Sequence, residues 1–359
     1  MTQPLSAINE LQRNSLGNPQ LIFFCDLSGA ELLELLARPG VLDELATQGY
    51  GVAVALRQLD DVTAEAVRTL NAHAILTVAW LLLPISEGIW LNVQNYPQVI
   101  ERYQAFRMWV QTHTLHFHAL GLEIEPPSAE LDRMQRWGMR DLARRLWLAH
   151  ENVLFLPART AYLELIARIH HEGYEVHTYQ LPLLADDRRA GTTLLQRAFD
   201  IVDLPSDLEV LICYSSAPLD AMNHDFGGAL ITSYGSSADG IGVGTLSGNP
   251  RESGEDLPPL PWDALERDLI LAARYTDTIY IYALEGCVER GLLPRFAQIN
   301  WDASEYAVTW KRTLVSTFRS IMLSGLLFAR FSPSLFAWLG WGLFALLFAQ
   351  RLRRGSLMR

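Results

Sequence analysis

The sequence predicts a parallel (β/α)8 barrel of the TIM-barrel class. Eight strand-like segments alternate with helix-like segments across residues 20–305, and no long linker separates them. This alternation is typical of proteins in which a helix returns the chain before each new parallel strand. The strand-like segments are largely continuous apolar runs, as expected where both faces of a sheet are buried. The alternative is a doubly wound open sheet, but the first strand is followed by CDLSGAE, which lacks the glycine spacing of a dinucleotide-binding turn.

The predicted elements follow one another in a regular order. We expect strands at residues 21–26, 52–57, 74–81, 121–127, 175–181, 209–214, 229–234 and 278–284. We expect helices at residues 30–48, 63–72, 129–149, 157–172, 194–200 and 262–274, and a further long helix that ends near residue 120. Residues 235–254 are rich in Gly and Ser and are expected to form a mobile loop over the barrel mouth. This segment lacks the Lys-Ser/Thr pair of a phosphate-binding loop, so no nucleotide cofactor is expected.

Composition narrows the classes of function. The chain has 359 residues and a formal net charge of -11, which argues against a nucleic-acid partner because phosphate binding needs clustered Lys and Arg. Cys25, Cys213 and Cys287 each lie in an apolar segment and are expected to be buried thiols rather than disulfide partners or zinc ligands. Residues 1–19 are polar and are expected to form an extension without a secretory signal peptide.

Residues 313–359 are expected to anchor the protein in a membrane. No acidic residue follows Glu305, and residues 331–349 read FSPSLFAWLGWGLFALLFA, which suffices to cross a hydrocarbon core of about 30 Å. A second apolar run covers residues 320–329. Basic residues on both sides favour a hydrophobic helical hairpin with both ends in the cytoplasm, so that the barrel faces the cytoplasm. The alternatives are a single span, which places the barrel and the tail on opposite sides, and a helix pair packed on the barrel.

Two carboxylates mark the end of the fourth predicted strand. In the segment GLEIEPP, Leu122 and Ile124 point to one face, whereas Gly121, Glu123 and Glu125 point to the other. Like charges held this close favour protonation of one of them, which is how a carboxyl group becomes a proton donor near neutral pH. Two buried acids without partners are costly, so the pair indicates proton transfer or metal binding.

Other polar and aromatic residues are expected near the same rim, because chemistry in such barrels collects at the carboxyl ends of the strands. Aromatic side chains there suit the apolar faces of sugar rings, and an amide such as that of Asn92 suits their hydroxyl groups. The expected substrate-binding residues are Asp26, Trp80, Trp90, Asn92, Tyr179, Tyr214 and Tyr234. Glu285 follows the eighth predicted strand and is the second candidate carboxylate for a retaining glycosidase.

The fourth-strand segment resembles the family-18 glycoside hydrolases, the chitinase-like barrels. Their fourth strand ends in D-x-x-D-x-D-x-E, and the corresponding residues here are His118, Gly121, Glu123 and Glu125. The last position matches, and Glu123 replaces an Asp conservatively. The sixth-strand tyrosine motif has a loose counterpart in the segment Cys213-Tyr214-Ser215. The resemblance implies a hydrolase acting on carbohydrate, with Glu125 as the proton donor and Glu123 orienting it or sharing its proton.

Two other functions remain open at this point. In a metal-dependent barrel of the sugar-isomerase type, Glu123, Glu125, His177 and Glu285 would hold magnesium or manganese. In a non-catalytic barrel, the same mouth would bind a glycan or glycolipid at the membrane. Glu125 close to Glu285 between aromatic walls would favour a glycosidase, convergent ligands would favour the metal, and a mouth filled by side chains would favour binding alone.

Overall fold

The computed structural model describes residues 18–127, 139–214, 226–244, 246, 260–305 and 307–356. Eight parallel strands pair in chain order, and β8 pairs with β1, so the sheet closes into a barrel. The predicted (β/α)8 fold is therefore confirmed. The strands are β1 (Gln20–Cys25), β2 (Gly51–Leu56), β3 (Thr77–Leu81), β4 (Ala119–Ile124), β5 (Glu175–Gln180), β6 (Leu208–Ile212), β7 (Gly240–Gly244) and β8 (Thr278–Tyr282).

Helices surround the barrel and return the chain between strands. They are α1 (Gly29–Leu36), α2 (Val41–Thr47), α3 (Asp61–Ala72), α4 (Tyr96–His113), α5 (Met139–Leu148), α6 (Phe155–His171), α7 (Leu184–Ala190), α8 (Leu194–Ala198), α9 (Gly227–Tyr234), α10 (Trp262–Ala272), α11 (Leu284–Glu289), α12 (Leu293–Phe296) and α13 (Thr309–Ser356). The single helix expected at residues 30–48 is divided at Gly40, whose φ of 83° only glycine adopts without strain. The beginning of the helix expected at residues 129–149 lies outside the described residues.

Alternate strand residues build two separate cores. In β1, Phe23 and Cys25 point outward into the layer shared with the helices, whereas Ile22 and Phe24 point into the barrel. The interior is largely aromatic. The Phe24 ring centroid lies 4.9 Å from that of Trp80 and 4.8 Å from that of Tyr179, and both pairs meet edge to face. Such pairs contribute about 0.5–1.5 kcal/mol each beyond the area they bury.

Glycines make room for this aromatic filling. A Cβ atom on Gly121 would lie 2.2 Å from the Tyr179 hydroxyl oxygen, so the side chain of Tyr179 occupies the space that any larger residue would need. The same is true of Gly242 in β7, where a Cβ atom would lie 2.9 Å from Ile212 Cδ1. The inward positions of these strands are therefore filled by side chains from their neighbours.

The seventh strand differs from the prediction. Residues 229–234, which were expected to form it, lie in α9, and the strand is the glycine-rich segment Gly240–Gly244. Ile241 and Val243 point outward into the main core, and the glycines alternate with them. The expected mobile loop at residues 235–254 is thus wrong over β7, and residues 247–254 lie outside the described part of the chain.

The carboxyl-terminal segment forms one helix, α13, so the expected hairpin is wrong. Its first half packs against α7 and α9. Arg319 Nε lies 2.6 Å from Asp186 Oδ1, the Arg319 guanidinium lies over the Tyr234 ring, and Val315 and Leu326 are buried. Within the described residues, Thr309–Ser332 is the one helical stretch whose length and mean hydropathy of 1.3 would allow it to cross a membrane. Ala337–Leu347 is a shorter apolar stretch, and its Trp338 side chain is 77% exposed.

Candidate active site at the barrel mouth

Glu123 and Glu125 lie at the carboxyl end of β4 and are almost completely buried, with exposed fractions of 7% and 6%. Leu122 and Ile124 point outward into the main core, so the two glutamates point inward. The indole Nε1 of Trp80 on β3 donates a hydrogen bond to Glu123 Oε2 at 3.1 Å. Because a buried carboxylate must be hydrogen-bonded to be tolerated, this contact fixes Glu123 in one orientation.

A loop strand continues the sheet beside these two acids. Leu91 forms a parallel bridge with Ile124, in which Leu91 N donates to Glu123 O at 2.9 Å and Glu125 N donates to Leu91 O at 3.2 Å. Since Leu91 points outward with Ile124, Trp90 and Asn92 lie on the same side as the two glutamates. This register brings the predicted residues of β4 and of the 90–92 segment together.

The amide group of Asn92 is used to shape this loop. Its Nδ2 donates to Trp90 O at 3.1 Å, and its Oδ1 accepts from Gln94 N at 2.9 Å. The Tyr162 hydroxyl donates to Asn92 O at 2.8 Å. Asn92 therefore positions Trp90 through the backbone, and its side chain has its polar atoms engaged by the protein.

Asp26, Arg57 and Tyr282 meet at the ends of three adjacent strands. Arg57 forms an ion pair with Asp26 Oδ1, and the Tyr282 hydroxyl donates to Asp26 Oδ2 at 2.9 Å. Arg102 on α4 donates to the carbonyl oxygens of Leu56 and Arg57, at 2.8 and 2.7 Å, which holds the end of β2 in place. The side chains of Asp26 and Arg57 remain about one quarter exposed, at 21% and 28%. They form a charged, solvent-accessible part of the rim.

Aromatic rings line the rest of the mouth. Tyr214, just after β6, lies 5.9 Å from Tyr282 between ring centroids, and Trp80 lies 6.4 Å from Tyr282. Tyr179 lies deeper and is fully buried against Tyr280, at 5.2 Å. Burial raises the pKa of Tyr179 well above its usual value, so its hydroxyl group stays protonated. Trp80 and Tyr214 thus lie at the mouth, whereas Tyr179 forms its floor.

Two predicted residues lie away from this mouth. Tyr234 is on α9, outside the barrel, where its hydroxyl donates to Asp186 Oδ2 at 2.8 Å. Glu285 is in the first turn of α11 rather than at a strand end, because β8 stops at Tyr282. The Cys25 thiol and the backbone of Asp26 lie close enough to its carboxyl group to lower its pKa slightly against the larger effect of burial. The Cys25 side chain belongs to the outer core, so Glu285 borders the layer between the sheet and the helices.

The environment of Glu285 perturbs its ionisation strongly. Burial raises its pKa from 4.5 to about 7, and the negative charge of Asp26 adds to this effect. Its Oε2 atom is buried without a hydrogen-bond partner among the described residues. Glu285 therefore carries a proton in the folded protein at mildly acidic pH. At higher pH the carboxyl group ionises, and the buried charge lowers the free energy of unfolding.

The structure does not assemble the metal site of the isomerase alternative. His177 lies low in the barrel, where its Nδ1 is 2.5 Å from the Tyr280 hydroxyl and its Nε2 is 3.6 Å from Glu175 Oε2. Burial lowers the pKa of His177 to about 4. Among the described residues, no group of three or more His, Cys, Asp and Glu side chains is arranged to hold a metal ion. The expected quartet with Glu123, Glu125 and Glu285 is thus divided between three places.

Tyr282 is a site residue that the sequence analysis missed. The signal for Tyr282 is the alternation in TIYIY, where Tyr280 and Tyr282 share the inward face of β8. Because the strand was predicted to extend to Leu284, the next acid, Glu285, was predicted at the strand end instead.

No protein-family model matches the chain, and no curated protein matches its sequence. Among solved structures, the glycoside hydrolase domain of PgaB (BpsB) from Bordetella bronchiseptica is similar with a TM-score of 0.44 and 10% identity, over 80% of this chain and 100% of that one. A β-1,3-glucanosyltransferase from Rhizomucor miehei, solved with laminaritriose, has a TM-score of 0.34 and 10% identity, over 74% and 86% of the two chains. An aldo-keto reductase solved with NADPH has a TM-score of 0.39 and 10% identity, over 84% of each chain. At such low identities and TM-scores, these matches assign the chain to no family, family 18 included, and transfer no activity to it.

Proposed function

We propose that the protein is a membrane-anchored, glycoside hydrolase-like barrel that acts on carbohydrate, with Glu125 as the proton donor. The observation that carries this proposal is the pair of buried carboxyl groups, Glu123 and Glu125, on the inward side of β4 at the barrel mouth. Removal from water favours the neutral form of a carboxyl group, which is the form a general acid needs before it protonates a glycosidic oxygen.

Glu123 and Asp26 take supporting roles in this proposal. Glu123 is held by the indole N–H of Trp80 and orients Glu125 or shares its proton. Asp26 is paired with Arg57 at the end of β1, which is three strands from β4 around the barrel. In this proposal Asp26 takes the place of Glu285 as the second carboxyl group, because Asp26 lies at the rim and is partly exposed to the mouth.

Aromatic and polar side chains at the mouth suit a sugar ring. Trp80, Trp90 and Tyr214 offer flat apolar surfaces for the C–H faces of a pyranose. Arg57 offers N–H donors for its hydroxyl groups, and it is 28% exposed at the rim. This combination of stacking and directed hydrogen bonds is typical of small-molecule sites with few polar groups.

Replacing Glu125 with Gln tests the proposal, because Gln keeps the size of the side chain and loses the acidic proton. A substrate is first found by screening chromogenic glycosides with and without chelator. We expect the variant to turn this substrate over at least about a hundredfold more slowly. Glu289→Gln is the matched control, because Glu289 is an exposed acid on α11. Unchanged turnover in Glu125→Gln, with an unchanged circular dichroism spectrum, would remove Glu125 from the mechanism.

A non-catalytic glycan-binding barrel is the second candidate function. The observation in its favour is the filled interior, where Tyr179 and Tyr280 are fully buried beneath the mouth. A glycan array separates the two functions: binding without turnover by the unaltered protein, and equal binding by Glu125→Gln, would support the binding function alone.

The membrane anchor in this proposal is the second half of α13. Residues 331–350 contain no charged residue, and Arg330 and Arg351 bracket them. In a continuous helix the rise from Arg330 to Arg351 is about 32 Å, which matches a hydrocarbon core of about 30 Å. One face of the helix before Arg330 packs on the barrel through Val315, Arg319 and Leu326, so in this proposal the anchor begins later than residue 313. A single span places the barrel and the tail on opposite sides, and carbohydrate attached to lipid becomes an accessible substrate.

A further inference from the structure

A cavity of about 340 Å³ lies where α13 leaves the barrel. Ala329 and Arg330 of α13 form one side, Thr192, Thr193 and Arg197 from the turn before α8 and from α8 itself form another, and His150 completes the lining. None of these residues belongs to the candidate active site. Its volume is within the range of ordinary small-molecule sites.

The cavity is cationic although the chain as a whole carries a net charge of -11. Arg197 donates from Nε to Thr193 Oγ1 at 3.1 Å and from Nη1 to Asn152 O at 3.4 Å. Arg330 donates from Nη1 to Ala190 O at 2.7 Å. Within the described residues, the hydrogen bonds of both guanidinium groups go to neutral oxygens, so neither charge is neutralised by a carboxylate.

Nearby acids do not cancel this charge. Glu151 Oε1 lies 3.9 Å from His150 Nε2 at a largely exposed position. Asp200 is engaged by the side-chain amides of Asn152, at 2.6 Å, and Gln94, at 2.8 Å. The Thr192 hydroxyl donates to the buried Asp187, which also accepts from Gln196, so the two guanidinium groups supply the donors that suit the oxygens of a phosphate group.

The position of the cavity along α13 identifies the source of that phosphate. Arg330 is the last charged residue before the apolar segment 331–350, so in the proposed anchor it lies at the level of the lipid headgroups. A phosphate held between Arg197 and Arg330 would then have its acyl chains beside the exposed apolar side chains of Phe331 and Trp338.

We propose that this cavity binds the phosphate headgroup of an anionic phospholipid. The inference rests on the proposed membrane anchor and adds a lipid preference to it. The bound headgroup supplies a negatively charged partner for Arg197 and Arg330, whose hydrogen bonds within the described residues go to neutral oxygens. Arginines near an anionic lipid surface favour binding about fivefold each.

The test uses the full chain reconstituted in bilayers of phosphatidylcholine and phosphatidylglycerol in equal parts, with one of the two lipids brominated in each sample. Trp338 and Trp341 are exposed on the apolar half of α13, so brominated lipid next to the helix quenches their fluorescence. We expect brominated phosphatidylglycerol to quench several-fold more efficiently than brominated phosphatidylcholine. The double variant Arg197→Gln/Arg330→Gln should quench equally with both lipids.

The control Arg38→Gln/Arg168→Gln removes the same charge from two exposed sites elsewhere and should keep the preference. Equal quenching of the unaltered protein by both lipids would overturn the proposal while leaving the anchor intact. A preference that persists in the double variant would also overturn it. Loss of the preference when inorganic phosphate is added would assign the cavity to a soluble phosphate instead. Quenching by neither lipid would refute the anchor itself, and the lipid site with it.

Discussion

Replacing Glu285 with Gln should stabilise the protein at alkaline pH relative to acidic pH. The Glu285 side chain is 4% exposed, and burial raises its pKa from 4.5 to about 7. Each tenfold change in a protonation equilibrium corresponds to about 1.4 kcal/mol, so ionising this carboxyl group lowers the free energy of unfolding by about 3 kcal/mol. Gln has the same shape and cannot ionise.

The sign follows from the two pKa values. Below pH 4.5 the carboxyl group is protonated in both the folded and the unfolded state, so its ionisation has no effect on stability. Between pH 4.5 and about 7 the unfolded state loses the proton first, and the stability of the unaltered protein falls. Above that range both states are ionised and the full penalty persists. The advantage of Glu285→Gln should therefore grow by about 3 kcal/mol across this window.

The assay is guanidinium unfolding of the full chain in non-ionic detergent at about pH 5 and about pH 8, followed by tryptophan fluorescence. The variant places an amide N–H₂ where Oε2 has no partner, which costs about 1–3 kcal/mol at every pH. The informative quantity is therefore the change with pH and not the stability at one pH. Glu289→Gln, an exposed position on the same helix, should show no such change. An equal difference between Glu285→Gln and the unaltered protein at both pH values would refute the reasoning.

The other predictions concern the proposed anchor in α13, the contact of Arg319 with Asp186, and His177 in the barrel interior. Deleting residues 331–359 should leave a folded protein that no longer pellets with membranes, as judged by fractionation and circular dichroism; continued pelleting would contradict the anchor. Arg319→Met should destabilise the protein by about 3–5 kcal/mol, because buried Asp186 loses its charge partner, and Asp186→Asn in the same chain should recover part of this loss in guanidinium unfolding. Since burial lowers the pKa of His177 from 6.5 to about 4, the unfolded state binds its proton first as pH falls, so stability should decrease over this range. His177→Gln should flatten that decrease in the same unfolding assay, and an unchanged pH dependence would contradict the assignment.

The barrel was predictable because seven of its strands can be recognised from the residues within each segment. Segments such as LIFFC in β1 and EVLI in β6 are buried on both faces, and they look like strands without reference to their neighbours. The glycine-rich β7 was not predictable by this criterion. Its inward positions hold no side chain, because space that a Cβ atom on Gly242 would need is taken by Ile212 on the adjacent strand. ALITSY, by contrast, looked like a strand and packs as a helix against α13.

The candidate site was predictable where it depended on strand alternation and not where it depended on strand length. Alternation alone put Glu123 and Glu125 on the inward side of β4. For β8, the predicted end at residue 284 lies two residues beyond the observed end at Tyr282. Glu285, which borders the outer core, was therefore predicted as a site residue instead of Tyr282, which donates a hydrogen bond to Asp26. The end of a strand is set by its pairing with neighbours, and that information lies outside the segment itself.

In the proposed anchored state, the continuous course of α13 limits how the barrel moves relative to the bilayer. A flexible tether would let the mouth sample a hemisphere of positions above the membrane and reach any glycan within its contour length. Here the Arg319–Asp186 ion pair holds the first half of α13 on the barrel, and the same helix continues without a break into the proposed anchor. The mouth is therefore expected at one height and one tilt. Carbohydrates displayed at that height would meet it at high effective concentration, whereas chains ending nearer or farther would gain nothing from sharing the membrane.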